Sequence, residues 1–172
     1  MYKKLTQMFN AASEMTRMMT DLASFGPAWA RVKDSLPRGD GHPVLVLPGF
    51  LTDDRYTSAL RGVIKEQGYA VHAWEGGLNT GFDDRAAQHL REQLQKIHEE
   101  SGGQKVTLVG HSLGGIFARE LAREFPDMVR CVVTLGTPFG SMDDPSRASP
   151  LPLDKLIRFF SGTGAYDGHK DL

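Results

Sequence analysis

The length, composition and charge of the chain exclude several classes of protein. Its 172 residues suit one domain with a sizeable core, and 40% apolar residues indicate a folded chain rather than a disordered one. Lys+Arg numbers 20 against 21 Asp+Glu, which gives a net charge of -1, so no nucleic-acid partner is expected.

The cysteine content and the N-terminus bear on the compartment. Cys131 is the single cysteine and lies in an apolar run, so it is predicted to be a buried strand thiol in a reducing environment. Lys3 and Lys4 are not followed by an uninterrupted apolar core, and no stretch is long and apolar enough to span a bilayer. A cytoplasmic protein without a signal peptide or a transmembrane segment is therefore predicted.

The first 24 residues carry an amphipathic pattern. Apolar side chains spaced alternately three and four residues apart predict an N-terminal amphipathic helix over residues 3–24. Packing on its own domain is the favoured interpretation, and a dimer contact or a membrane-surface helix are the alternatives. Phe25-Gly26-Pro27 is predicted to end this helix, and residues 34–43, with several Pro and Gly, to form a linker.

Strand and helix patterns alternate from residue 44 to residue 135. Apolar runs predict four strands, at 44–47, 69–74, 106–109 and 129–135. Helices are predicted from Thr52 or Asp53 to about residue 67, from Asp83 or Asp84 to about residue 100, and after the third strand to about residue 125. This alternation predicts an α/β fold with a mostly parallel sheet, right-handed crossovers and helices on both faces.

The most informative motif, Gly110-His111-Ser112-Leu113-Gly114-Gly115, follows the third predicted strand. A Gly-x-Ser-x-Gly sequence between a strand and a helix is typical of a nucleophile elbow. The sharp turn strains the serine backbone, so Gly110 and Gly114 must lack side chains. Ser112 is therefore predicted to be a nucleophile at a helix N-terminus, whereas His111 is predicted to pack in the elbow.

Two further segments accompany the elbow: Val44-Leu45-Val46-Leu47-Pro48-Gly49-Phe50 before it, and Val133-Thr134-Leu135-Gly136-Thr137-Pro138-Phe139-Gly140-Ser141 after it. In this order the three segments resemble the α/β-hydrolase superfamily of the lipase/esterase type, over about residues 42–141. The resemblance implies an incomplete α/β-hydrolase fold whose strands are the family's third to sixth, in spatial order 4-3-5-6. It divides the chain into an N-terminal helix and linker (1–41), a hydrolase core (42–141) and a tail or start of a lid (142–172).

The same resemblance implies roles for site residues. The backbone N–H groups of Phe50 and Leu113 match the family's oxyanion donors, with Pro48 in place of the family's usual histidine. The family places its acid and then its histidine after the nucleophile, and His169 is the only histidine there. His169 is thus the candidate base, and Asp144, or its neighbour Asp143, the candidate acid.

The short distance from Ser112 to the end of the chain leaves four interpretations open. The chain is a truncated hydrolase, a natural variant without the chemistry, a protein that borrows its base from a partner or second copy, or one whose tail supplies the base. In a truncated chain the strand 129–135 is an apolar sheet edge. Self-association through that edge or the N-terminal helix is then expected, unless the tail covers the edge with its helical pattern at 153–160.

Two functions are consistent with these motifs. One is a serine hydrolase that cleaves carboxylic esters, lipidic esters included, through an acyl-enzyme; an acyltransferase shares every motif. The other is a binding or interaction module on a hydrolase scaffold. No metal, dinucleotide or other cofactor is expected, because the histidines are scattered and no Gly-x-Gly-x-x-Gly follows the first strand. An apolar acyl group is favoured by apolar residues near the expected mouth: Phe50, Leu51, Trp74, Leu78, Phe82 and Phe139.

Overall fold

The computed structural model describes residues 24–81 and 83–137, and the chain divides into two compact units between Arg38 and Gly39. In the first unit, residues 24–32 are helical and are followed by a 3-10 turn, Lys33–Ser35. The predicted helix end at Phe25-Gly26-Pro27 is therefore wrong. Proline fixes its φ near the helical value and removes only one hydrogen bond, so the residues after it can remain helical. Residues 3–23 of the predicted amphipathic helix lie outside the described residues.

The described part of the second unit contains a four-stranded parallel sheet. Its strands are β1 (Pro43–Leu47), β2 (Ala70–His72), β3 (Val106–His111) and β4 (Val129–Leu135). Their spatial order is β2-β1-β3-β4, and Leu45 of β1 is in register with His72 on one side and Leu108 on the other. This confirms the expected order 4-3-5-6, which is the same arrangement in the family's numbering.

Within residues 39–81 and 83–137, three helices cover the sheet: α1 (Ser58–Glu66), α2 (Asp84–Glu100) and α3 (Leu113–Glu124). Successive side chains of a strand point to opposite faces, and the buried β1 side chains separate accordingly. Leu45 and Leu47 join the core cluster that contains the apolar residues of α2 and α3. Val44 and Val46 join a second cluster, to which α1 contributes. Helices on both faces of the sheet are thus confirmed.

The residues at which α1 and α2 begin depend on which backbone N–H groups donate to nearby carboxylates. The side chain of Asp83 accepts a hydrogen bond from the Ala86 N–H at 2.6 Å, so α2 begins at the predicted cap. Helix α1, in contrast, begins at Ser58 and not at residue 52 or 53. The carboxylate of Asp54 accepts hydrogen bonds from the N–H groups of Trp74 and Glu75, at 2.9 and 3.0 Å. These bonds hold residues 52–57 as a loop and also end β2 earlier than predicted.

Strand β4 lies at the edge of the described sheet, where it pairs with β3 alone. A register shift between Val106 and Thr107 sets Cys131 opposite Thr107, and Cys131 is exposed. The prediction of a buried thiol is therefore wrong, because an apolar run indicates a strand but does not specify which of its side chains the rest of the fold covers. Val133 and Leu135 are also exposed, at 44% and 39%. Self-association through this edge stays a prediction.

Candidate active site

The backbone of Ser112 adopts a strained conformation between the end of β3 and the start of α3. Its φ is 51° and its ψ is -117°, a combination that costs a non-glycine residue on the order of 1–3 kcal/mol. The Ser112 N–H donates to the Leu135 carbonyl at 2.8 Å. The Ser112 carbonyl accepts from the Thr137 hydroxyl at 2.9 Å and from the Gly115 N–H at 3.1 Å. Bonds from β4, from the residues after it and from α3 therefore keep the turn in this conformation.

Glycines make this turn sterically feasible. A Cβ at Gly110 would lie 2.3 Å from the Gly114 carbonyl oxygen, and one at Gly114 would lie 2.4 Å from the Leu47 carbonyl oxygen. A Cβ at Gly115 would lie 1.9 Å from the Thr137 hydroxyl oxygen. The requirement at Gly115 is not part of the sequence prediction, since it arises from the chain that follows β4.

The loop after β1 packs directly against the elbow. A Cβ at Gly49 would lie 3.3 Å from the Cβ of Ser112 and 2.9 Å from Nδ1 of His111. Phe50 is the next residue of this loop, and Leu113 is the first residue of α3. N–H groups in the first turn of a helix have no partner within the helix and carry partial positive charge. The structure thus brings the segments of the two predicted oxyanion donors together at Ser112.

His111, next to Ser112, is half-buried, and its ring lies 5.2 Å from the ring of Tyr56, tilted by 46°. Its Nδ1 atom is buried and has no hydrogen-bond partner among the described residues. Burial lowers the pKa of this imidazole below its usual 6.5, so the neutral form is favoured at pH 7.

The hydrogen bonds of the other described histidines are to groups other than Ser112. His42, which precedes β1, contacts the Asp40 carboxylate through Nδ1 and the Thr107 hydroxyl at 2.8 Å through Nε2. His89 bonds to the Trp74 carbonyl at 2.8 Å, and His98 to the Gln104 carbonyl at 2.9 Å. Burial lowers the pKa of His72, in β2, below 6.5. None of the hydrogen bonds found within residues 24–81 and 83–137 joins a histidine to the Ser112 hydroxyl.

Comparison with known proteins places these features in a family. A model of the alpha/beta hydrolase fold matches residues 26–163. The chain belongs to this family. A triacylglycerol lipase of Pseudarthrobacter phenanthrenivorans is 28% identical over 105 residues, which cover 56% of this chain and 33% of the lipase. A triacylglycerol lipase of Burkholderia plantarii is 28% identical over 105 residues, covering 56% of this chain and 29% of that protein.

The solved structure of the mature Bacillus licheniformis lipase BlEst2 shares the fold, with a TM-score of 0.52 at 22% identity. The match covers 74% of this chain and 55% of that structure. The chain spans about a third of the length of the curated lipases that it matches.

Several predicted residues of this α/β-hydrolase lie outside the described residues. They are the candidate base His169, the candidate acids Asp144 and Asp143, the mouth residues Phe82 and Phe139, and the tail pattern at 153–160. Of the other mouth residues, Leu51 and Leu78 are exposed at 47% and 54%, and Phe50 packs partly buried against the core. Trp74 differs from the expectation: it is 2% exposed and stacks on Phe117 at 5.9 Å, so it belongs to the core.

One residue that the sequence analysis missed contacts the candidate site. Asn79, within the Gly76–Gly81 segment, is 1% exposed and donates from its side-chain amide to the Pro48 carbonyl at 2.8 Å. An asparagine among glycines is an ordinary loop signal. Only the contact with the loop after β1 distinguishes Asn79 from a turn residue.

Within the part of the chain that the structure describes, no group of three or more His, Cys, Asp or Glu side chains is arranged to hold a metal ion. None of the helices in those same residues has both the length and the apolar character that spanning a bilayer requires.

Proposed function

We propose that this chain is the core of a serine acyl hydrolase in which Ser112 attacks carboxylic esters. The observation that carries the proposal is the strained Ser112 backbone, held at the N-terminus of α3 and against Gly49. Phe50 follows Gly49 and Leu113 follows Ser112, so each of the two proposed N–H donors belongs to the residue next to this close contact. The curated relatives are triacylglycerol lipases, which agrees with ester chemistry.

In the proposed reaction, the Ser112 Oγ attacks the ester carbonyl carbon while a base takes its proton. The carbonyl electron pair moves to oxygen, and the N–H groups of Phe50 and Leu113 stabilise the resulting oxyanion. Loss of one such donor costs on the order of 10²–10³ in rate. The intermediate collapses to an acyl-enzyme as the alcohol leaves with a proton, and water then releases the carboxylic acid.

The proposed base is a histidine oriented by a carboxylate, because a neutral imidazole accepts the serine proton near pH 7. His169 and Asp144, with Asp143 as the second choice for the acid, are the candidates within this chain. Leu51 and Leu78 are exposed and lie in two neighbouring loops. The loops are joined by a hydrogen bond from the Leu51 N–H to the Asn79 carbonyl, at 2.7 Å. These side chains support an ester with an apolar acyl group as substrate.

A binding or interaction module on the same scaffold is the second candidate. It is favoured by one observation: no described histidine forms a hydrogen bond with the Ser112 hydroxyl. Without a base, a serine hydroxyl remains a weak nucleophile, even in a strained turn.

Labelling with a fluorophosphonate distinguishes the two functions. We expect the 172-residue chain to label stoichiometrically at Ser112, and Ser112→Ala to abolish labelling. Ser58→Ala is the matched control, because Ser58 is exposed at the start of α1 and its hydroxyl donates to the carbonyl of Arg55 in the preceding loop. Circular dichroism verifies that each sample is folded. A folded wild-type chain that does not label refutes the hydrolase and supports the binding module.

A further inference from the structure

We infer that Asn79 is a positioning residue that fixes the oxyanion loop, defined here as Pro48–Thr52, against the elbow. The inference rests on the proposed function and adds to it a residue that is distant from Ser112 in sequence.

Asn79 is 1% exposed, and all four of its polar groups form hydrogen bonds. Its side-chain N–H donates to the Pro48 carbonyl at 2.8 Å, and its side-chain oxygen accepts from the Gly81 N–H at 3.1 Å. Its backbone N–H donates to the Thr52 carbonyl at 2.9 Å, and its carbonyl accepts from the Leu51 N–H at 2.7 Å. Asn79 therefore binds the oxyanion loop at both of its ends.

The loop itself is tightly turned and needs such support. The Thr52 hydroxyl and N–H both donate to the Gly49 carbonyl, at 2.7 and 3.2 Å. Leu51 has a φ of 55°, which is unfavourable for a residue with a side chain. A strained loop persists only when surrounding bonds hold it. Loss of the Asn79 bonds is thus expected to let the loop relax away from Ser112.

The side-chain amide suits this role because it offers a donor to Pro48 and an acceptor to Gly81 at the same time. An ionised aspartate has only acceptors, so Asn79→Asp sets a carboxylate oxygen against the Pro48 carbonyl oxygen. A protonated aspartic acid regains one donor, and burial raises the pKa of a carboxyl. The Asn79→Asp defect should consequently become smaller as the pH is lowered.

The expected kinetic effect follows from where the loop acts. An oxyanion donor forms its strongest bonds in the transition state, so its displacement lowers kcat more than it changes KM. With p-nitrophenyl butyrate as the probe, we expect Asn79→Asp to lower kcat about 10²-fold at pH 8, with KM within about threefold. The ratio of wild-type to variant kcat should fall as the pH is lowered towards 5.

Gln93→Glu is the matched control. Gln93 is 8% exposed, and its side-chain N–H donates to the Ala73 carbonyl at 2.6 Å, away from the elbow. The substitution therefore also replaces a buried amide donor with an acid. We expect Gln93→Glu to lower stability and to leave kcat within about twofold of the wild type. A similar loss of kcat in both variants would show that Asn79 acts through general stability, and would overturn the inference.

Amide hydrogen exchange over residues 48–52 supplies a readout that does not depend on activity. We expect at least tenfold faster exchange in Asn79→Asp than in the wild type or Gln93→Glu, with α3 unchanged. Unchanged exchange at 48–52 overturns the inference, whatever the activity. Faster exchange in a chain whose wild type neither hydrolyses nor labels supports the restraint by Asn79 and refutes the proposed hydrolase.

Should Asn79→Asp fail to fold, Asn79→Ser decides the question by the same measurements. A serine hydroxyl is uncharged but too short to reach the Pro48 carbonyl. The expected result is again a selective loss of kcat and faster exchange at 48–52. Retention of both wild-type values would overturn the inference.

Discussion

Alanine at position 114 would set a methyl group against the main chain of β1 and the start of the oxyanion loop. Its Cβ would lie 2.4 Å from the Leu47 carbonyl oxygen and 2.7 Å from that of Pro48. Ordinary carbon–oxygen contact begins near 3.4 Å, so these backbone atoms must move by about 1 Å. Because the obstructing atoms are backbone in a packed sheet, no side-chain rotation can relieve the overlap.

Two opposing effects set the expected change in the free energy of unfolding of Gly114→Ala. Overpacking of this kind costs about 1–3 kcal/mol, whereas replacing a helical glycine with alanine gains up to about 1 kcal/mol. We therefore expect Gly114→Ala to lower the free energy of unfolding by about 1–2 kcal/mol, and Tm by about 2–8 °C. A displacement of this size at Pro48 should also slow fluorophosphonate labelling about 10²-fold.

Gly62→Ala is the control for this prediction. Gly62 is exposed within α1, and a Cβ there would have no atom within 4 Å. It should gain about 0.5–1 kcal/mol and label at the wild-type rate. Thermal and urea unfolding followed by circular dichroism measure both variants. If Gly114→Ala were as stable as Gly62→Ala and labelled at the wild-type rate, the site would not depend on the close approach of Gly114 to the Leu47 and Pro48 carbonyls.

Three further predictions test the site, the core and the pH dependence of stability. Ser112→Gly should raise the free energy of unfolding by about 1 kcal/mol in urea titrations, because glycine tolerates φ of 51°, and should abolish labelling; a loss of stability would contradict the strain. Phe117→Ala, which removes a 1% exposed ring stacked on Trp74, should cost about 3–5 kcal/mol, and a cost below about 1 kcal/mol would contradict this packing. The hydrogen bond from His42 holds the pKa of Asp40 well below its usual value. The ionised Asp40 carboxylate therefore stabilises the folded state above about pH 4, and this stabilisation is lost as the pH falls further. Urea titrations of wild type and Asp40→Asn should therefore converge in stability below pH 4, and a difference that grows on acidification would refute this sign.

The sequence predicts the sheet well because its signals are local. A continuous apolar run such as Val44–Leu47 indicates a strand buried on both faces, and the structure shows that burial. The cap at Asp83 is also local, since the bond joins residues three apart. The start of α1 differs from the prediction, because the Asp54 carboxylate accepts a hydrogen bond from the Trp74 N–H, 20 residues away in the chain.

The candidate site likewise has some features that the sequence predicts and others that it does not. Glycines on either side of Ser112 indicate a strained turn between a strand and a helix, and the turn has that form. Asn79 carries no such signal, because its role depends on the approach of Pro48 from a different strand end. The exposure of Cys131 likewise depends on which strand lies at the edge of the described sheet.

The alternation of strands and helices, the strained turn at Ser112 and the family resemblance can all be predicted from the order of the amino acids. Those properties follow from side-chain periodicity and from backbone sterics within a few residues. Three features are visible only in the folded chain: Asn79 binds the oxyanion loop, Thr137 donates to the Ser112 carbonyl, and the Cys131 thiol is exposed. These depend on contacts between segments far apart in the chain, which local residue patterns do not specify.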